Sequence, residues 1–236
     1  MKKLILGATG AIGSALAKKI AADGGQVHLV ARDESSLSDL ASELNASFTT
    51  CDVLEDNFSE KILSDLGDAP IDGLAYCVGS IDLKPLKLSK KNDFLNCFNL
   101  NLISATEIIR ASFNKLKENK GSIVLFSTVA ARKGFTNHSI ISSAKAAVEG
   151  LTVALAAEFS PSVRVNCIAP SLSKSKMGEF LLKNEKIAEG IAKLHPLKRL
   201  GKGSDFSGIA KFLMSEESSW MTGQIIGVDG GRSSIA

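Results

Sequence analysis

The sequence predicts a doubly wound α/β fold, a mostly parallel sheet with helices on both faces, and two observations carry that expectation. Short, continuously apolar runs alternate with segments of helical periodicity along the chain, and strands that are apolar on both sides belong to a parallel sheet covered above and below. The 236 residues are 44% apolar and 22% charged, enough to bury a large core, and no shift in composition marks a boundary, so one domain over 1–236 is expected.

The elements follow in order. Residues 3–6 read as a strand, and the next helix carries Ile12, Leu16 and Ile20 on one face before closing at Gly24-Gly25. A strand at 27–30, a helix around Leu37, Leu40 and Leu44, a strand at 48–51, a helix near 62–66 and a buried run at 74–78 come next. A helix over 94–116, a strand at 122–127, a helix over 142–159 and a strand at 163–168 continue the alternation, which ends with a helix carrying 209–214 and a strand at 225–228. Segment 171–203 interrupts it with Lys-rich, Ser-rich sequence and an amphipathic Phe180, Leu181, Ile187, Ile191 pattern. Between the last two strands of such a sheet, this segment is either a lid over the site or a surface helical hairpin.

Composition excludes several classes. The formal charge is +3, the basic residues are scattered and aromatics are 6% of the chain, unlike the basic, aromatic-rich stripe of a nucleic-acid binder, so no nucleic-acid partner is expected. Cys51, Cys77, Cys97 and Cys167 form no C-x-x-C pair and have no His spacing suited to a metal, so they read as reduced core thiols and no metal site is expected. Met1-Lys2-Lys3 and the apolar stretch after it imitate a secretory signal, but Gly7, Gly10 and Gly13 would break a signal helix. No 18-residue apolar run is apparent, so no membrane partner and a cytoplasmic protein are expected.

Gly7-Ala8-Thr9-Gly10-Ala11-Ile12-Gly13 follows the first strand and opens the first helix, the context a glycine motif needs to carry meaning. Residues without side chains let the backbone turn tightly and let a pyrophosphate reach the free N–H groups of the helix start, where the macrodipole favours negative charge. The fold is therefore expected to be Rossmann-type and to hold a dinucleotide. After the second strand comes Val30-Ala31-Arg32-Asp33. Ala31 cannot bond a ribose, whereas Arg32 offers a planar cationic fork for a 2′-phosphate, which favours NADP. Asp33 keeps NAD open, because its carboxylate can accept from an adenosine ribose.

On these residues the chain resembles a short-chain dehydrogenase/reductase of the single-domain type, from Lys3 to about Gly231. Cys51-Asp52-Val53 is similar to the family's adenine-contacting turn, with Asp52 and Val53 at the contacting positions. Tyr76-Cys77-Val78-Gly79 sits where the family has Asn-Asn-Ala-Gly, which puts Tyr76, Val78 and Gly79 beside the cofactor. The run from Arg164 to Pro170 resembles the strand leading to the nicotinamide; Pro170, Ser171, Leu172 and Ser175 then fall at cofactor-binding positions, and Met177 fits the family's Met. Trp220-Met221-Thr222-Gly223-Gln224 and Val228-Asp229-Gly230-Gly231 match its C-terminal signature. The resemblance implies a seven-stranded sheet, a nicotinamide cofactor across the C-terminal strand ends, a small-molecule carbonyl substrate, and a homodimer or homotetramer built on helix faces.

It also exposes a break. Lys145 fits the family's helix Lys, Asn101 its relay Asn, and Thr128 stands for the Ser that holds the substrate oxygen, with a hydroxyl that can still donate. Four residues before Lys145, where the family has its acid/base Tyr, the chain has Ile141. His138, about one helical turn before Ile141, is an alternative acid/base, as is a water held by Lys145 and Asn101; a loop histidine is the plainer reading of His138. Ser142-Ser143-Ala144-Lys145 has the S-x-x-K spacing of a serine acylase, but the companion motifs are missing, so Lys145 is assigned to the ribose hydroxyls. Arg132, Lys133, Lys174, Lys176, Lys198 and Arg199 would rim the site, either as a field for an anionic or carrier-linked acyl substrate or as solvated surface charge. Two readings follow: an oxidoreductase with a changed acid/base, or a nucleotide-binding scaffold that keeps the pocket.

Overall fold

The computed structural model describes residues 1–175, 178–179 and 184–235. Its strands are β1 (Lys2–Leu6), β2 (Gln26–Ala31), β3 (Ser47–Thr50), β4 (Ile71–Tyr76), β5 (Ser122–Phe126), β6 (Arg164–Pro170) and β7 (Ile225–Val228). Among the described residues they form one seven-stranded sheet in the order β3-β2-β1-β4-β5-β6-β7, with every pairing parallel. The expected doubly wound, Rossmann-type sheet is therefore present, and strand order reverses between β1 and β4, where such sheets open a ligand crevice.

Alternate residues of each central strand supply the two cores. Leu4, Leu6, Leu74, Tyr76, Ile123, Leu125 and Val165 pack on one face against α3 (Phe58–Leu66), α5 (Ser104–Glu118) and α6 (Ser139–Phe159). Ile5, Ala75, Val124, Phe126 and Ile168 pack on the other against α1 (Ala11–Ala22), α2 (Glu34–Leu44) and a helix over Gly203–Leu213 that we number α8. Both faces must be apolar for this, which is why the strands read as unbroken apolar runs.

Several boundaries differ from expectation. The helix expected over 94–116 starts earlier, as α4 (Lys91–Phe98), and passes through a π turn at Asn99–Ile103 before α5. The Tyr76 hydroxyl donates to Leu100 O at 2.7 Å and Ser104 Oγ to Asn99 O at 2.8 Å, so side chains serve carbonyls at the irregular turn. α6 begins at Ser139, three residues before the expected 142. By length and composition α6 is apolar enough to cross a membrane, with a mean hydropathy of 1.4, which the sequence reading did not anticipate. Here one of its faces lies in the core and carries buried Lys145, Glu149 and Thr152.

Between β6 and β7, Ser173 pairs with Gly201 in a short parallel bridge, and α7 (Glu185–Lys193) is capped by Asn184 and leaves Ile187 exposed. Lys176, Met177, Phe180 and Leu181 of the expected lid lie outside the described residues.

Candidate active site

The glycine turn is built as its spacing demands. Gly7 has φ +74°, and a Cβ there would lie 2.9 Å from Cys77 C and O; a Cβ at Gly13 would lie 2.3 Å from Gly7 O. The first glycine thus permits a left-handed turn pressed against the end of β4, and the last lets α1 close on the strand. Gly10 caps α1 without any side chain on the first-turn amides. Thr9 and Ile12 flank this opening, half-buried. The cradle fits a diphosphate: bare amides, a helix N-terminus, and backbone surfaces that side chains would fill.

On the adenosine side, Arg32 Nη1 stands 3.3 Å from Asp52 Oδ2, its side chain largely in solvent. Asp52 Oδ1 accepts from Leu54 N at 3.0 Å, and Val53 is buried beneath that turn. Asp33 Oδ1 accepts from Ser36 N at 2.8 Å and so caps α2.

Two of the catalytic candidates, Asn101 and Lys145, come together beside Gly79. A Cβ at Gly79 would come within 2.9 Å of Asn101 Oδ1 and 3.3 Å of Lys145 Nζ. Lys145 is 7% exposed and Nζ donates to Phe126 O at 2.8 Å; burial lowers its pKa from 10.5 to about 8, although Cys167, Cys97 and Cys77 nearby oppose the shift. Asn101 is 1% exposed, its Nδ2 donates to Cys97 O at 2.9 Å, and its Oδ1 has no hydrogen-bond partner among the described residues. A buried orphan acceptor beside a buried ammonium is a position for a water or a ligand hydroxyl. Thr128 Oγ1 accepts from Ala130 N at 3.3 Å, which leaves its proton to donate outward.

Ile141, 4% exposed, packs with Ile140, Ala144 and Cys97 against Leu83, Phe94 and Phe98. His138 is the N-cap residue of α6; its Nδ1 lies 2.8 Å from Thr136 O and its ring 5.3 Å from Phe135. A carbonyl only accepts, so Nδ1 carries a proton. The Tyr76 side chain is buried in the core and its hydroxyl donates to Leu100 O, so β4 offers the crevice backbone rather than a phenol. Val78 and Gly79 are half-buried at the strand end. The four cysteines are free, as expected, and burial raises Cys51 and Cys97 to about 11 and Cys77 and Cys167 to about 12.

Sequence reasoning missed three groupings. Ser127 Oγ donates to Glu149 Oε1 at 2.9 Å and Arg132 Nε to Oε2 at 2.6 Å, so Arg132 ties the Thr128 loop to α6 and is not merely a solvated cation. Similarly, Arg199 is a bidentate partner of Asp205 at 2.6 and 2.8 Å, and Lys133 Nζ donates to Arg232 O at 2.8 Å. Second, Ser171 Oγ lies 2.8 Å from Nε2 of buried His195, whose Nδ1 lies 2.9 Å from Ile191 O. Both line a cavity of about 230 Å³ at the ends of β6 and β7, with Leu172 and Asp229. Nearby, Pro170 closes β6 opposite Val228, and Ser175 Oγ accepts from Gly178 N at 3.1 Å. Third, Ser80 and Asp82 meet beside Asn101. A serine two residues before an aspartate carries no signal of its own in sequence.

Comparison with known proteins agrees with this fold. A family model described as enoyl-(acyl carrier protein) reductase matches residues 7–233. A chloroplastic tropinone reductase homolog of Arabidopsis thaliana is 32% identical over 99% of this chain and 76% of its own length. L-xylulose reductase of Bos taurus is 30% identical over 98% of this chain and 95% of its own. Among solved structures, the short-chain dehydrogenase/reductase (glucose/ribitol dehydrogenase) of Brucella melitensis superposes with a TM-score of 0.92 at 29% identity, covering 98% of this chain and 96% of that one. With its glycine cradle, its parallel sheet and these matches over nearly its full length, the chain belongs to the short-chain dehydrogenase/reductase family of oxidoreductases.

Proposed function

We propose that this protein is an NADP(H)-dependent oxidoreductase for a small carbonyl/alcohol pair, working with an acid/base other than the family's tyrosine. The convergence of Lys145 and Asn101 on Gly79 carries the reading, because it keeps a cation and an open acceptor where a cofactor ribose and a reacting oxygen would meet. The bound nicotinamide supplies the hydride. The chain supplies the rest: first-turn amides of α1 hold the diphosphate, Lys145 holds the ribose hydroxyls, and Thr128 donates to the substrate oxygen. The proton is moved by His138 or by a water on Lys145 and Asn101. Arg32 supports NADP, since its guanidinium is exposed at the ribose edge while Asp33 is engaged at the start of α2. NAD remains the alternative, because Asp52 already draws on Arg32. The names of the tropinone reductase homolog and L-xylulose reductase support a carbonyl substrate.

The reading further takes the protein to work in the cytoplasm as a homodimer or homotetramer, with segment 171–203 as a lid. A second reading, a nucleotide-binding scaffold, is favoured by one observation: Ile141 is sealed into an apolar cluster where the family has its phenol. Titration with NADPH and NADH, followed by a stopped assay of NADPH oxidation against carbonyls that include acyl thioesters, separates the two. Turnover supports the enzyme; binding without turnover supports the scaffold. A tenfold preference for NADH overturns the NADP assignment. His138→Ala lowers turnover at least tenfold if that imidazole carries the proton, and unchanged turnover removes it.

A further inference from the structure

The loop after β4 carries a carboxylate, Asp82, next in sequence to Leu83, which packs in the apolar cluster that holds Ile141. Ser80 Oγ donates to Asp82 Oδ2 at 2.5 Å, within the range of charge-assisted O–H···O⁻ bonds, and accepts from Asn101 Nδ2 at 3.4 Å. The Asn101 amide is oriented by these neighbours: Nδ2 also faces the Cys97 carbonyl, which only accepts, so Oδ1 must face Gly79 and Lys145. A continuous hydrogen-bonded path therefore runs from Asp82 through Ser80 to Asn101, whose unpaired oxygen opens on the Lys145 side.

The surroundings tie this path to the missing residue. Leu83, next to Asp82, packs in the same apolar cluster as Ile141 and Cys97. Lys84 N donates to Asn137 O at 2.9 Å, so this loop meets the His138 loop, and Lys84 Nζ is paired with Asp93 at 2.7 Å. Among the described residues Asp82 has no ion-pair partner within 4 Å. The titratable groups facing it are Cys97 from α4 and, beyond Asn101, Lys145 from α6.

We infer that Ser80 and Asp82, in place of His138 or a bound water, replace the phenol: Ser80 exchanges the proton of the substrate oxygen, and Asp82, acting through Ser80, is the positioning residue that receives or returns it. The inference rests on the oxidoreductase reading. In alcohol oxidation the O–H proton passes to Ser80 Oγ while the Ser80 proton passes to Asp82 Oδ2. The O–H electron pair becomes the second bond of C=O, and the carbon-bound hydrogen leaves with its pair to the oxidised nicotinamide. Asp82 then releases its proton to water, and reduction runs the same steps backwards. A carboxylate base draws the proton off an alcohol, so alcohol oxidation is the direction this pair would serve best.

Two measurements test it, one independent of turnover. In proton NMR of the NADP⁺-loaded protein, the short Ser80–Asp82 bond should give an exchange-protected resonance far downfield that disappears in both Ser80→Ala and Asp82→Asn. In the second, Asp82→Asn keeps a hydrogen-bond acceptor but cannot take the proton. It should lower kcat for alcohol oxidation at least tenfold, leave KM and the NADP⁺ dissociation constant within twofold, and remove the acid limb of the pH profile, with Asp82→Glu recovering part of kcat. Absence of the downfield resonance overturns the inference, as does Asp82→Asn with kcat within twofold of wild type. A wild type that binds NADP⁺ and turns over no alcohol or ketone sinks the oxidoreductase reading itself, a result distinct from either of these.

Discussion

Replacing Lys145 with methionine asks whether a buried cation is kept in the site at the expense of stability. Burial moves Lys145 from 10.5 to about 8, which at about 1.4 kcal/mol per pKa unit withholds about 3 kcal/mol from the folded state while the ammonium is charged. The sign follows from proton counts. Between pH 8 and 10.5 the unfolded chain keeps a proton that the folded chain has released, so stability rises with pH across that window, and the whole penalty applies below it. By pH 9.5 about 2 kcal/mol of it should be recovered. Methionine removes the charge and keeps most of the stem, but it strips Phe126 O of its donor, a loss of about 1–3 kcal/mol.

At pH 7, Lys145→Met should therefore range from equal to wild type to about 2 kcal/mol more stable, a gain of up to about 8 °C in Tm for a chain of this size. Its advantage should shrink by about 2 kcal/mol between pH 7 and 9.5. Urea unfolding of both proteins at the two pH values reads this difference, and other titrating groups cancel in the subtraction. If the variant is less stable by the same amount at both pH values, the side chain is not a desolvated cation and the electrostatic account of the site fails.

Other outcomes follow from the same structure. If only the acid is missing, Ile141→Tyr should raise ketone reduction at least tenfold while overpacking costs about 1–3 kcal/mol in the melting curve; no gain with NADPH still bound would mean the pocket has been rebuilt around another acid, as the Ser80–Asp82 pair requires. His28, buried among Ser47, Thr49 and Lys2, is lowered from 6.5 to about 4, chiefly by burial, then by the Lys2 charge, with Asp65 opposing. The unfolded chain then takes up a proton first as pH falls through that window, so about 2 kcal/mol should be lost between pH 7 and 5. His28→Gln should flatten that loss, and an unchanged acid limb in urea titrations counts against it. Val153, 51% exposed on α6, should be buried in the proposed oligomer. Val153→Lys should then lower the mass seen by light scattering, and an unchanged mass would move the interface elsewhere.

The parts legible in sequence are those that local pattern dictates. Continuously apolar strands alternating with period-3.6 helices imply the covered parallel sheet, and the glycine spacing implies a turn in which Cβ atoms at Gly7 and Gly13 would collide with backbone. Asn101, Thr128 and Lys145 were recognisable through motif resemblance, and the first and last of them do converge. Boundary errors at element ends had local causes: α6 starts at Ser139, behind the N-cap residue His138, rather than at 142, and the π turn at Asn99–Ile103 is supported by Tyr76 and Ser104, partners that periodicity cannot show.

By itself, then, the sequence determined the layering of the sheet and the glycine turn, because each depends on the type and spacing of near neighbours. Tertiary structure alone decided that Arg132 serves Glu149, that His195 faces Ser171, and that Asp82 reaches Asn101 through Ser80. Those bonds join loops to helices across the ends of the strands. Their partners are chosen by how the loops pack over the sheet, and a polar residue in a loop carries no periodicity that announces which one it will meet.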